Sequence, residues 1–174
     1  LTESKLELKE IVILPKNANS LASYTIPMIL GDNGALQKGD YIAVVFPETT
    51  TIPQDLDINS ITINGQKPSD FAVDGTTLKV FISQAFSAGQ EVNLFIEKTA
   101  GIRNPKVTKV DYTLAVYTSK EADHILSEPF EITPALPETT VQITGGRVVR
   151  DDWYVEPPLV GFTCSNPEAS VWIY

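Results

Sequence analysis

Apolar residues recur at every second position in short runs separated by Gly, Pro, Asn and Asp through most of the chain. A period of two is that of a strand with one buried face, so the pattern predicts strands almost throughout. Tyr24, Ile26, Met28 and Leu30 share one parity, and Pro27 between them predicts an edge position or a bulge. Ile42, Val44 and Phe46 alternate next, followed after the polar loop 48–59 by Ile61 and Ile63, which run into Asn64-Gly65. Phe71 to Val73 and Thr77 to Ile82 flank Asp74-Gly75, a dipeptide suited to the positive dihedrals of a tight hairpin. Val92, Leu94 and Ile96 form another strand. The longest alternation, with Val110, Tyr112, Leu114 and Val116 inward, predicts a single central strand. Near the start, Leu6, Leu8, Val12 and Leu14 share a parity, which predicts an edge-like strand crossing from one sheet to another and stopped by Pro15. Ser119 to Ser127 fits either a loop or one helical turn, and Phe130 to Ile132 closes the series as a last strand.

Two of these strands have the same introduction. Ala35-Leu36-Gln37-Lys38-Gly39-Asp40 precedes one, and Ala85-Phe86-Ser87-Ala88-Gly89-Gln90 precedes the other. The echo points to a repeated β architecture. Short strands with turn residues at regular spacing and no helical period predict an all-β, Ig-like Greek-key β-sandwich over residues 1–133. Its expected core is Ile26, Leu30, Ile42, Val44, Phe46, Leu78, Val80, Ile82, Leu94, Ile96, Tyr112, Leu114 and Val116.

A connector rich in proline occupies 134–139, with Pro134 and Pro137 stiffening it. Beyond it, Val141 and Ile143 alternate up to Gly145-Gly146. Trp153-Tyr154-Val155, Leu159 to Cys164 and Ser170 to Tyr174 supply further strand material. So few residues cannot close a sandwich of their own, so 140–174 are expected to be a partial second Ig-like β module.

Composition narrows the function classes. With 174 residues and 43% hydrophobic content, the chain can pack a core without disulfides. Cys164 is the lone cysteine and is expected to be a small buried hydrophobe. A net charge of -9 and a pI near 4.5 argue against nucleic acid, whose affinity needs clustered Lys and Arg. No apolar run approaches the roughly 20 residues of a bilayer-crossing helix. The opening at Leu1, without a basic and apolar leader, is expected of a mature or excised piece of a longer protein.

Four motifs stand out in order: Leu36-x-x-Gly39-Asp40-x-Ile42-x-Val44-x-Phe46-Pro47, Ile61-x-Ile63-Asn64-Gly65, Gly101-Ile102-x-Asn104-Pro105, and Tyr112-Thr113-Leu114-x-Val116-x-Thr118-Ser119-x-Glu121. With them, residues 24–132 resemble a repeat of surface proteins of Gram-positive bacteria. The later segment, Pro137-x-Thr139-Thr140-Val141-x-Ile143-x-Gly145 through Trp153-Tyr154-Val155-x-Pro157 and Val160-x-Phe162-Thr163, resembles the opening of another bacterial Ig-like repeat. The resemblance implies a multidomain exported protein and an extracellular or cell-wall location. Motifs of turns and strand faces specify a fold better than a reaction.

Candidate chemistry is sparse. His124 is the single histidine and follows Asp123, but no Gly-x-Ser-x-Gly elbow accompanies it, so an exposed or locally bonded ring is expected rather than a triad. Asp55, Asp57 and Asn59 stand at the first three spacings of a calcium loop, which then fails at Ser60 and Gln66, where Gly and a bidentate acid belong. The 22 acids show no spacing that sets a glycosidase pair apart from a solvated surface. Trp153, Tyr154 and Trp172 suit sugar stacking but are expected in a core or module interface. Lys79 and Lys109 lie on the parity opposite the apolar residues, so neither is expected to reach into the core to form a side-chain amide bond.

The expectation is therefore a non-enzymatic extracellular spacer or adhesion module with no catalytic, cofactor-binding or metal residues. Its expected partners are other domains of the same surface protein. The alternative is an accessory module of a secreted enzyme that binds carbohydrate or a protein through the loops 48–59 and 98–106 or an open sheet edge.

Overall fold

The structure, a computed structural model, describes residues 4–135, 139–144, 148–150, 153–154 and 159–164. The chain divides into two compact units, residues 1–135 and 136–174. The first unit contains β1 (Glu7–Leu8), β2 (Val12–Leu14), β3 (Ser23–Ile29), β4 (Tyr41–Val45), β5 (Ile61–Ile63), β6 (Asp70–Asp74), β7 (Thr77–Phe81), β8 (Glu91–Ile96), β9 (Lys109–Tyr112), β10 (Ala115–Thr118), β11 (Ile125–Leu126) and β12 (Phe130–Ile132). Its helical content among the described residues is two 3-10 turns, Ile58–Ser60 and Lys98–Ala100.

An all-β sandwich results. One antiparallel sheet has the order β1-β3-β8-β5, with β2 also on β3, and the other has the order β11-β10-β4-β7-β6; β9 and β12 form a separate ribbon. In the second sheet the β6–β7 hairpin is added beside β4. The alternation predicted for these strands is their buried pattern: Tyr24, Ile26 and Met28 on β3, Leu78 and Val80 on β7, and Val92, Leu94 and Ile96 on β8 are buried, with more exposed residues between them. Of the expected core, all but Tyr112 are buried. Tyr112 packs against the core half-exposed.

The repeated phrase has a structural meaning. Leu36 and Phe86 form an antiparallel bridge in which each N–H donates to the other's carbonyl at 2.9 Å. In both copies the last side chain closes its own turn: Gln37 N–H donates to Asp40 Oδ2 and Ser87 N–H to Gln90 Oε1, each at 2.8 Å. Gly39 and Gly89 both have positive φ, +93° and +71°. Gly39 N–H donates to Ile82 and Gly89 N–H to Leu30, and the return bonds run from Ile82 N–H to Asp40 and from Leu30 N–H to Gln90. The copies are therefore related by a local two-fold, with the strands exchanged: β3 leads into the first copy but pairs β8 after the second, while β7 leads into the second and pairs β4 after the first.

Three expectations are corrected by register. The segment Lys5 to Leu14 does not change sheets, because β1 and β2 both lie along β3. Leu8 opposes Met28 and Val12 opposes Thr25, so four steps on one side face three on the other. That one-residue bulge inverts the parity: Ile13 is buried while Val12 and Leu14 face outward. The predicted central strand 110–116 is two strands. Leu114 breaks it by exchanging bonds with Ser127, its N–H to Oγ at 3.1 Å and its carbonyl from Ser127 N–H at 2.9 Å, so β10 joins β4 while β9 pairs β12. A register shift between Phe130 and Ile132 puts an extra residue on β9, and Val110, expected inward, is 72% exposed. The β6–β7 hairpin forms where the sequence predicts it, but its loop residues are Gly75 and Thr76 rather than Asp74 and Gly75, since Asp74 opposes Thr77, and Gly75 alone has positive φ. Ser119 to Ser127, which fitted a helical turn or a loop, carries the short strand β11 against β10.

The second unit pairs β13 (Thr139–Thr144) with β16 (Leu159–Cys164), and β14 (Val148–Arg150) with β15 (Trp153–Tyr154). Cys164, expected buried, is half-exposed and free. The expectations for residues 136–138 of the connector, Gly145-Gly146 and the strand containing Trp172 lie outside the described residues.

Phe86 and Leu36 are 3% and 0% exposed, so each fills the core where the two copies meet. Phe86→Ala is expected to lower stability by about 3–5 kcal/mol and Leu36→Ala by about 2–5 kcal/mol. Urea titration should show both midpoints falling with the m-value unchanged.

Candidate functional site

Polar side chains of the sequence motifs gather at two places in the first unit, and each has backbone groups to satisfy. Thr118-Ser119-x-Glu121 begins at the last residue of β10. Thr118 Oγ1 accepts from Lys120 N–H and Glu121 N–H, a tight local turn that aims the Glu121 carboxylate inward. Its Oε1 accepts from Leu6 N–H at 2.8 Å and Oε2 from Gly31 N–H at 3.1 Å. Gly31 and Gly34 are needed for this approach, because a Cβ on either would collide with a carboxylate oxygen of Glu121. Ser119 Oγ donates to Asp40 Oδ1 at 2.8 Å, and Lys120 Nζ lies 3.1 Å from the same oxygen. The motif therefore ties β10, the start of β1, the turn 31–34 and the first copy of the repeated phrase together.

A shallow cleft of ≈ 250 Å³ opens beside it, lined by Leu6, Asn33, Lys120, Glu121, Asp123 and Ile125 among others. Its charges are paired: Lys5 Nζ meets Asp123 Oδ2 at 2.8 Å, both exposed. That contact holds the Asp123 carboxyl below and the Lys5 ammonium above their ordinary ranges. Asp40 is also held below the carboxylate range, first by the Gln37 backbone N–H, then by Ser119 and Lys120, against the opposing effect of burial.

The second place is Asn104, fully buried in the loop after the 3-10 turn 98–100. Its Oδ1 accepts from Tyr24 OH at 2.6 Å, and its Nδ2 donates to the carbonyls of Pro15 at 2.7 Å and Asn17 at 3.0 Å. Asn104 N–H donates to Ser20 and Ala22 N–H to Ile102, so the loops 15–20 and 101–105 are stitched together at one end of the sandwich. Burial pushes the Tyr24 hydroxyl well above its usual range. Asn104 before Pro105 has the composition of a turn residue, and the Gly101-Ile102-x-Asn104-Pro105 motif is the sequence signal that marks it.

The sequence-derived candidates are dispersed. His124 is exposed and stacks on Tyr117 at 4.5 Å and 8°, while Asp123 beside it is engaged by Lys5. Asp57 Oδ1 accepts from Asn59 N–H and Nδ2, each at 2.9 Å, as the cap of a 3-10 turn, and Asp55 joins neither bond. Among the described residues no group of three His, Cys, Asp or Glu comes together as a metal site would require. Lys79 lies over the Tyr41 ring at 5.2 Å, and Lys109 pairs with Asp111 at 3.0 Å. The structure does bring an unforeseen lysine to an asparagine, Lys67 Nζ to Asn59 Oδ1 at 2.7 Å. The pair is exposed, and the Asn59 bonds hold the neighbouring Asp57 carboxyl below its ordinary range, which disfavours the protonated form that would polarise the amide.

A larger groove of ≈ 560 Å³ runs between 8–16 and 128–131, with Leu8, Ile11, Val110 and Phe130 on its walls and Lys9, Lys16, Glu10, Glu128 and Glu131 on its rim. No helix among the described residues is long and apolar enough to cross a membrane.

No protein-family model matches the chain, and no curated protein matches it. Among solved structures, the chain is similar to BslA, a bacterial hydrophobin, at 14% identity and a TM-score of 0.47, over 78% of this chain and 99% of that one. It is also similar to BcpA, the major pilin subunit of Bacillus cereus, at 11% identity and a TM-score of 0.49, over 92% of this chain; it spans 53% of the pilin's length.

A carboxylate held low in the folded state stabilises it fully above the unfolded value of about 3.9 and loses that contribution as pH falls through the folded value. The stability gap between the native chain and Asp40→Asn should therefore close below about pH 4, as read by urea midpoints across an acid series. Thr50 in the loop 48–59 is buried and its Oγ1 has no hydrogen-bond partner among the described residues. Thr50→Val should raise stability by roughly 1–3 kcal/mol, the cost of an unmet buried hydroxyl, visible as a higher melting temperature.

Proposed function

We propose that the chain is a non-enzymatic structural module of an extracellular bacterial surface protein, which spaces and presents neighbouring domains. The observation that carries this reading is where the motif side chains go. Glu121, Ser119, Asp40 and Asn104 all bond to their own chain, Glu121 and Asn104 to backbone groups across the sandwich. Groups needed for catalysis would instead converge on a cleft with room for a substrate. The surface location rests on the motif resemblance.

Two of the sheet edges support the same reading. Beyond β5, Ile63 exchanges both backbone bonds with Gln66, so that edge is closed by its own turn. On β6, Phe71 N–H is taken by Asp70 Oδ1 at 2.8 Å. Blunted edges keep a module from adding strands of other chains, which suits a spacer held at high local density on a surface.

The alternative, a binding module, has one specific footing: the groove walled by Leu8, Ile11 and Phe130 with Val110 exposed in it. The full chain can be tested on arrays of glycans and matrix proteins, together with Val110→Glu. The spacer reading expects no saturable signal from either protein. Saturable binding that Val110→Glu abolishes would replace it with recognition through the groove.

A further inference from the structure

The chain contains two Asn-Gly pairs, Asn33-Gly34 and Asn64-Gly65, and the fold treats them differently. We propose that Asn64 is a site of spontaneous deamidation and isoaspartate formation in the folded protein, while Asn33 is protected. The inference does not depend on the spacer reading.

The nucleophile in this reaction is the backbone nitrogen after the asparagine. Gly34 N–H is bonded to Gly31 O at 3.0 Å, and Gly34 is buried against the Glu121 carboxylate, so the turn has no room to rotate. Gly65 N–H has no hydrogen-bond partner among the described residues, the residue is exposed, and nothing lies within 4 Å of the position a Cβ would take. Asn64 and Gly65 both have positive φ, +49° and +76°, the geometry of a type I′ turn between Ile63 and Gln66.

The electrophile is also prepared. Asn64 Oδ1 accepts from Asn93 N–H at 2.7 Å, while Nδ2 donates to Glu91 O at 3.1 Å. A backbone N–H on the amide oxygen is placed to stabilise the negative charge that develops there under attack. Gly65 N, having lost its proton to solvent base, bonds to Asn64 Cγ. The Cγ–Nδ2 bond then breaks, and that nitrogen takes a proton from water and leaves as ammonia. One water opens the resulting five-membered imide at either carbonyl, giving aspartate or its β-linked isomer.

The product acts on the edge of the sheet. An aspartate at 64 has no donor for Glu91 O, and the β-linked isomer adds a backbone atom inside the two-residue turn that seals β5. Age would therefore open an edge that is closed at synthesis.

The test is incubation of the folded chain at mildly alkaline pH, with peptide mapping of the amide-to-acid mass change at both sites and enzymatic methylation of isoaspartate. Asn64 is expected to convert at least roughly tenfold faster than Asn33, the factor that about 1.4 kcal/mol of barrier commands. In denaturant the two sites should convert at similar rates, and Asn64→Gln should remove most isoaspartate from the folded sample. Equal rates in the folded chain, or faster conversion at Asn33, would overturn the proposal.

Discussion

Two stacked sheets leave a core that is open at both ends, and water must be kept out there by chain that has its own backbone groups to satisfy. This protein meets that constraint with paired backbone bridges and inward-turned polar side chains. At one end the Leu36–Phe86 bridge joins the two copies of the repeated phrase, with both side chains in the core. Glu121 holds the adjacent turn and the first strand to β10. The loops 15–20 and 101–105 are closed by Asn104, whose amide meets two carbonyls and a tyrosine hydroxyl. The regular strands depend on these closures, because a sandwich whose end opens wets the residues between its sheets.

What the sequence made legible follows from period and turn chemistry. The alternation from Tyr24 to Leu30 and from Val92 to Ile96 is the buried pattern of the two paired strands, and the echo around Leu36 and Phe86 is a physical pair. A bulge is invisible to this reasoning, since one extra residue inverts parity without changing composition. Val12, Leu14 and Val110 were misplaced for that reason. Polar joints were equally hidden: the buried Asn104 before a proline and the half-buried Glu121 after a Thr-Ser pair have the composition of exposed turns, and their partners are distant in sequence. The Lys67–Asn59 contact belongs to the same class, brought about by a loop path that no local pattern encodes.

The polar motif residues thus act as joints, and this explains why a chain with many acids brings no set of metal-ligating groups together among the described residues. Glu121 accepts backbone N–H groups and Asp40 accepts from Gln37, Ser119 and Lys120, so each negative charge is matched by donors within the fold. Exposed acids such as Asp70 contribute differently, by occupying an edge donor. The motif residues are, in physical terms, instructions for closing a sandwich.

The exchange of strands about the local two-fold has a kinetic consequence. While the chain emerges from a ribosome, β3 has no β8 to pair with until Ile96 has appeared, and β4 waits likewise for β7. Neither half can be completed by its own local contacts, so the native state is reached through distant pairings that slow the search. Nascent chains of this kind remain unfinished for most of their length, and they become committed to structure late and all together.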